Sequence, residues 1–467
     1  MIRKEHIRLA AALLAGALAL AMTFAGCGGR NGGDKIGRLP KNTLALGVRM
    51  DRTSDKAQEL LDRTLAEYIS AFRRTYPGTD VKVIYYAELP KDLTGLDCVI
   101  LGADDLLLYA DNVMSDMSGC PALAGVGEDG LIRSALKAGR LSGDGSELLF
   151  LAFNYDHAVL LADNDIVRLH NVTLPEDGSW RLSDFCDILE ALAVRVGDTN
   201  YAGAYMPYYM PYVWQYFCRA EAGGYLTPEG RFDFSGNDAV CQAIHRMYML
   251  YKHNDAFSRN MNSAERVCAM SWTFACDPDA NGIAYEPDYI LARNPGTNLE
   301  DIMGRDALML MPLPLSDSGE SIGIMNTDFI RGFSVPKTSS KQGAAKKFAA
   351  FSLTPEGQEI LHRYFGGIPV NRSVWSSSFW RTGVFSGANG DRALIGVDNG
   401  FRNDFTDALT GDPDVYNKNV RMRTVFSAVM YRDFSGAKGE KAFFTQLDIF
   451  SGDANGTVSG EISAYSR

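Results

Sequence analysis

The stretch from Asp328 to Trp375 reads DFIRGFSVPKTSSKQGAAKKFAAFSLTPEGQEILHRYFGGIPVNRSVW. A short apolar run ends at Val335-Pro336, and a polar turn follows. Ala344, Ala345, Phe348 and Ala349 then recur at helical spacing, with Lys346 and Lys347 on the opposite face. Thr354-Pro355-Glu356 restarts a helix, with a hydroxyl N-cap, a proline at the first helical position and an acid in the first turn. Ile360, Leu361, Tyr364 and Phe365 give it a buried stripe, and Gly366-Gly367 ends it. The chain leaves extended through Ile368-Pro369-Val370-Asn371. The stretch therefore reads as a strand, a broken helix pair and an exit strand, which by themselves name no activity.

The beginning of the chain has a complementary pattern. Thr43 to Val48 reads as a strand, and Ser54 to Tyr76 as one amphipathic helix with Leu60, Leu61, Leu65, Tyr68, Ile69 and Phe72 inward. Pro77-Gly78 stops that helix. Strands follow at Asp80 to Tyr86 and Leu96 to Leu101. This order predicts a parallel α/β sheet with right-handed crossovers. Ligands of open α/β sheets bind beyond the carboxyl ends of the strands. The loops holding Asp51-Arg52 and Asp104-Asp105 occupy those ends, either as ligand contacts or as helix caps and solvated loop residues.

At 467 residues the chain is too long for one compact core, so two lobes are expected. A net charge of -11 without a basic stripe argues against nucleic acid as a partner. Arg3, Lys4 and Arg8 precede an apolar run from Leu9 to Ala25, the pattern of a secretion signal. Gly28 to Pro40 is a polar, glycine-rich tether. Seven cysteines beyond Cys27 are scattered without a CxxC pair, which removes zinc-ribbon and thioredoxin readings. Most are expected to be buried small hydrophobes, and a Cys268–Cys276 disulfide is the alternative for that pair. HExxH and P-loop motifs are absent from the sequence. Gly125-Val126-Gly127-Glu128-Asp129-Gly130 is formally GxGxxG but follows a loop, and reads as a turn ahead of a helix from Leu131 to Ala138.

The order of features from Phe333 to Val374 resembles the extracellular solute-binding proteins of ABC importers, in particular the sugar-binding family that includes maltose-binding protein. The AAKKF-type helix, the STPEGQ-like helix start and the GGIPVNRSV exit carry the likeness. AFRRTYPGTDVKV near the N-terminus, Leu148 to Leu161, Trp180 to Phe185 with Ser183 as N-cap, and Ala307 to Pro314 extend it. Phe24-Ala25-Gly26-Cys27 resembles a bacterial lipobox, which implies a lipidated Cys27.

The resemblance implies a two-lobed, type II periplasmic-binding-protein-like α/β fold with about three hinge crossings. It implies a signal peptide over 1–26 and a tether over 27–40. The first lobe would comprise 41–150 plus 311–366, and the second 151–310 plus 367–467. It also implies a monomer on the outer face of the bacterial cytoplasmic membrane, without enzymatic activity. Such a receptor holds a carbohydrate in the cleft and delivers it to ABC permease subunits by hinge closure. A secreted glycosidase or a ligand-sensing lipoprotein is the alternative.

Asp51, Arg52, Asp104, Asp105 and Arg331 would supply polar contacts to ligand. Tyr208, Tyr212, Trp214 and Trp272 would supply flat apolar faces, which suit the C–H side of a pyranose. The aromatic-rich segment around them reads equally as core. No cofactor is required. Asp277, Asp279, Asn281 and Asp288 fit a calcium-loop spacing, with an Asp/Asn/Gly surface loop as the alternative.

Overall fold

The computed structural model describes residues 39–401, apart from 91, 110–112, 121–122, 124–125, 141–145, 176, 198, 206–211, 226–236, 253–255, 259–265 and 277–307. Strands β1 (Thr43–Arg49), β2 (Asp80–Tyr86), β3 (Cys98–Gly102) and β4 (Leu151–Ala152) build the first sheet. Helix α1 (Asp55–Thr75) joins β1 to β2, and the two strands pair in parallel. Its N-cap is Ser54, whose hydroxyl accepts the Ala57 N–H at 3.1 Å. Helix α2 (Arg133–Ala138) follows the Gly127–Gly130 turn, where Gly127 takes a φ of 74°.

The chain then crosses through β5 (Asn154–Tyr155) into β6 (Ala158–Asp163). Helices α3 (Asn164–Leu169) and α4 (Leu182–Leu192) lead to β7 (Arg195–Val196) and β8 (Thr199–Tyr205). Helices α5 (Tyr212–Ala222) and α6 (Asp238–Lys252), then β9 (Phe257–Ser258), β10 (Arg266–Phe274) and β11 (Leu308–Met311), complete this region. The second sheet has the order β11-β6-β10-β8-β7, with β9 beside β8. The chain returns through β12 (Gly323–Ile324) to β13 (Arg331–Ser334). β13 inserts antiparallel between β3 and β4, giving the first sheet the order β2-β1-β3-β13-β4. Helices α7 (Gln342–Phe351) and α8 (Pro355–Phe365) follow, and β14 (Ile368–Pro369) starts a third crossing. Helix α9 (Ala388–Arg392) and β15 (Gly400–Phe401) end the described chain.

Each lobe has an aromatic core. In the first, Tyr68 of α1 stacks on Phe333 of β13 with ring centres 5.7 Å apart and meets Phe348 of α7 edge-on at 5.1 Å. Its hydroxyl donates to the Phe348 carbonyl at 2.8 Å, so the buried polar tip is satisfied. Lys341 at the start of α7 pairs with the buried Asp97 carboxylate at 3.0 Å and donates to the Thr43 carbonyl at 2.6 Å. In the second lobe Trp180, Phe185, Trp214, Tyr216, Phe217 and Trp272 form one buried cluster.

Thr354 caps α8 as the sequence indicates, its hydroxyl accepting the Gly357 N–H at 3.1 Å. Gly366 and Gly367 both take positive φ, 59° and 91°, conformations that L side chains rarely adopt. The α4 start differs from the sequence expectation. Arg181 is the N-cap, and Ser183 already lies inside the helix. Asp184 accepts the Arg181 N–H at 2.9 Å and Asp317 accepts the Ser183 N–H at 2.9 Å, so the helix starts at Leu182 with carboxylates serving the donors on either side of it. Cys268 and Cys276 are buried and not joined in a disulfide, and Cys98, Cys120, Cys186 and Cys218 are buried likewise. Burial pushes the Cys186 thiol up to about 12.

The crossings are tied together. β5 pairs with β14, placing Tyr155 opposite Ile368 and Asn154 opposite Pro369. His157 bridges to Met325 of the second crossing. The buried Asp156 carboxylate accepts from Asn326 Nδ2 at 2.7 Å and from the Cys276 N–H at 2.9 Å. The His157 ring donates from Nε2 to the Ala393 carbonyl at 2.9 Å. No helix among the described residues is long and apolar enough to cross a membrane.

Candidate functional site: the carboxyl edge of the first sheet

β1 and β3 run in parallel, so the loops that leave them emerge on one edge of the sheet. β13 is antiparallel to both neighbours, so its first residue, Arg331, reaches the same edge opposite Gly102. The register alone therefore gathers Asp51, Arg52, Asp104, Asp105 and Arg331.

Their environments differ. Asp51 accepts from Thr53 N at 2.7 Å and Thr53 Oγ1 at 2.5 Å through Oδ1, and from the Tyr364 hydroxyl at 2.5 Å through Oδ2. Arg52 is exposed beside it. Asp104 is buried. Asp105 accepts the Gly102 N–H at 2.8 Å. Arg331 donates from Nη1 to the Asp328 carbonyl at 2.6 Å, and its backbone N–H donates to Asn154 Oδ1 at 2.6 Å. A Cβ at Gly102 would lie 2.9 Å from Arg331 Nη1 and 3.0 Å from Asp105 Oδ2. Glycine there lets a guanidinium and a carboxylate close over the end of β3. Tyr86 ends β2 and Tyr109 follows β3 nearby; burial raises both phenols above their ordinary range.

Trp214 and Trp272 lie elsewhere. Trp272 falls inside β10 opposite Leu160, not in the loop after the strand. It is 1% exposed and meets Tyr216 edge-on at 5.2 Å and Phe185 at 6.5 Å. Trp214 is fully buried in α5, its ring 4.7 Å from that of Tyr225. Both rings are packed in the core cluster of the second lobe, where large apolar surface is buried. Tyr212 opens α5, but its side chain lies outside the described residues. Tyr208, Cys27 and the calcium-spaced Asp277, Asp279, Asn281 and Asp288 also lie outside them. Among the described residues no group of three or more side chains could hold a metal ion.

Several site-forming residues carried no sequence signal. Met50, at the mouth of the same loop, is 38% exposed. Asn154, Asp156 and Asn326 organise the crossings, but single polar residues in extended segments have no pattern to announce them, and the helical stripe that includes Tyr364 does not announce its hydroxyl's partner.

Two α/β lobes joined by three tied crossings make the two-lobed, type II periplasmic-binding-protein fold, the fold of MalE-like sugar-binding proteins of ABC importers. The structure matches the sugar-binding protein MalE from Xanthomonas citri with a TM-score of 0.63 at 14% identity, over 91% of this chain and 99% of that one. It matches a family 1 extracellular solute-binding protein from Alicyclobacillus acidocaldarius at 0.60 and 14%, over 90% and 99%. It also matches an ABC substrate-binding protein from Listeria monocytogenes in complex with cycloalternan at 0.55 and 13%, over 89% and 99%. Neither a protein-family model nor a curated protein matches the sequence.

Proposed function

We propose that this protein is an extracytoplasmic solute receptor that captures a carbohydrate between its lobes and hands it to an ABC permease. The observation that carries the reading is the gathering of Arg52, Asp104, Asp105 and Arg331 at the carboxyl edge of a sheet joined to its partner lobe by three crossings. Solved proteins of this fold include one in complex with cycloalternan and one bound to maltose, which supports a hydroxyl-rich ligand. The lobes divide as 41–150 plus 311–366 and 151–310 plus 367–467. Residues 1–26 are a lipoprotein signal, and a lipid on Cys27 with the 27–40 tether holds the monomeric receptor at the outer membrane face.

The chemistry is binding and release, with no bond broken. Ligand favours the closed arrangement by its differential affinity for it, and closure turns the lobes about the crossings. Ligand-bound closed receptor is what the permease reads.

Thermal unfolding of the protein without residues 1–27, scanned against mono- and oligosaccharides with and without calcium, tests this. A sugar at about 100 times its dissociation constant is expected to stabilise by about 2.7 kcal/mol. The sugar should be recovered intact, and turnover would mark a glycosidase instead. No response to any sugar would sink the carbohydrate reading. A response to calcium alone would make the Asp277 loop a metal site.

A further inference from the structure

We propose that Tyr364 is a positioning residue for the loop after β1, and that Asp51 serves this loop internally while Met50 and Arg52 are what it presents to ligand. The ligand half of this inference rests on the function proposed above; the loop half does not.

The loop is anchored from three elements. The Met50 N–H donates to the Tyr86 carbonyl of β2 at 2.8 Å. The Asp51 N–H donates to Gln58 Oε1 of α1 at 2.8 Å, and Gln58 is itself held by donating to Asp62 at 2.8 Å. The Tyr364 hydroxyl of α8 donates to Asp51 Oδ2 at 2.5 Å. Asp51 Oδ1 already accepts twice from Thr53. Both carboxylate oxygens are thus engaged in shaping the loop, which argues against Asp51 as a ligand contact. Met50 and Arg52 flank it and are exposed.

Tyr364 is well placed to hold this shape. Its ring is buried and meets Phe365 edge-on at 4.8 Å, which fixes the direction of the hydroxyl. It lies two residues before Gly366, whose φ of 59° and ψ of -158° begin the third crossing. A phenol donating to a carboxylate is a strong class of hydrogen bond. This one joins the ligand loop to the turn that launches the hinge, across 313 residues of sequence.

Hydrogen exchange on the full chain tests the loop. Tyr364→Phe is expected to speed exchange of the Asp51 and Thr53 amides about ten-fold, the worth of one hydrogen bond to a charged group, with α8 amides unchanged. Asp51→Ala is expected to speed them at least as much. The double variant should go no further than Asp51→Ala, because both changes remove one shared contact. An unchanged loop in Tyr364→Phe, or effects that add, would overturn the proposal.

Titration with maltotriose tests the consequence. Arg52→Ala should weaken binding and leave loop exchange as it was, whereas Tyr364→Phe should alter both. Full affinity in Arg52→Ala would overturn the assignment of that residue. Failure of the unaltered protein to bind maltotriose would count against the carbohydrate reading for that sugar, and the exchange result would still decide the loop.

Discussion

Asn326 donates its side-chain amide to the buried Asp156 carboxylate, Nδ2 to Oδ2 at 2.7 Å, and so ties the second crossing to the first. Asp156 Oδ1 meanwhile accepts the Cys276 N–H at the end of β10 and its neighbour's N–H at His157, both at 2.9 Å. One carboxylate thus gathers donors from three separate parts of the chain at the point where the lobes join. Removing it strands those donors in a buried place.

Asp156→Ala is therefore expected to lose about 3 kcal/mol or more of stability, the cost of several unsatisfied buried donors. Asp156→Asn should lose much less. Its carbonyl oxygen keeps the two backbone donors, and Asn326 can turn its own oxygen toward the new amide. Urea midpoints of the two variants check this. Equal losses would show that charge, not acceptor count, holds the junction.

Trp272 yields a second contrast. Trp272→Ala empties a packed site in the second lobe and is expected to cost about 4 kcal/mol. The indole N–H finds no acceptor among the described residues. Trp272→Phe removes that orphan donor along with part of the ring, and should cost roughly half as much. Sugar affinity should be unchanged in the Phe variant. A large loss of affinity at full stability would return Trp272 to the ligand site.

Acid is expected to destabilise the fold through two histidines. Burial lowers His157 from 6.5 to about 4, and lowers His362 likewise to about 4. With the folded pKa below the unfolded one, the unfolded chain holds the extra proton between those values. Stability is then full above the ordinary histidine range and falls as pH drops from about 6.5 to about 4, by up to roughly 1.4 kcal/mol per pH unit for each ring. Denaturant unfolding at pH 7, 5.5 and 4.5 measures this. His157→Gln and His362→Gln should each flatten the slope, and an unaltered slope in both would point to carboxylates instead.

Much of this architecture was legible beforehand because it is local. The Thr354-Pro355 helix start and the Gly366-Gly367 stop depend on backbone groups within a few residues, and each lies where the sequence places it. The strands of the first sheet follow from runs of apolar residues between turn signals. Ser183 is not the cap because the helix starts one residue earlier, and a distant carboxylate, Asp317, takes the Ser183 N–H. The tryptophans read equally as platform or core in the sequence because residue type does not state how an element is packed. Trp272 lies in β10, between β6 and β8, where residues of both phases are buried, Met270 and Thr273 among them.

The sequence by itself determined the long helix after β1, the Thr354-capped helix and its glycine stop, the parallel start of the first sheet and the kinship in fold with two-lobed receptors. These rest on periodicity and short-range hydrogen bonding, which are written in consecutive residues. The tertiary structure alone decided that Arg331 comes level with Gly102, that Tyr364 holds Asp51, and that Asp156, His157 and Asn326 knit the crossings. Those contacts join residues far apart in sequence, and single polar side chains acquire their partners only when the sheets have set their register.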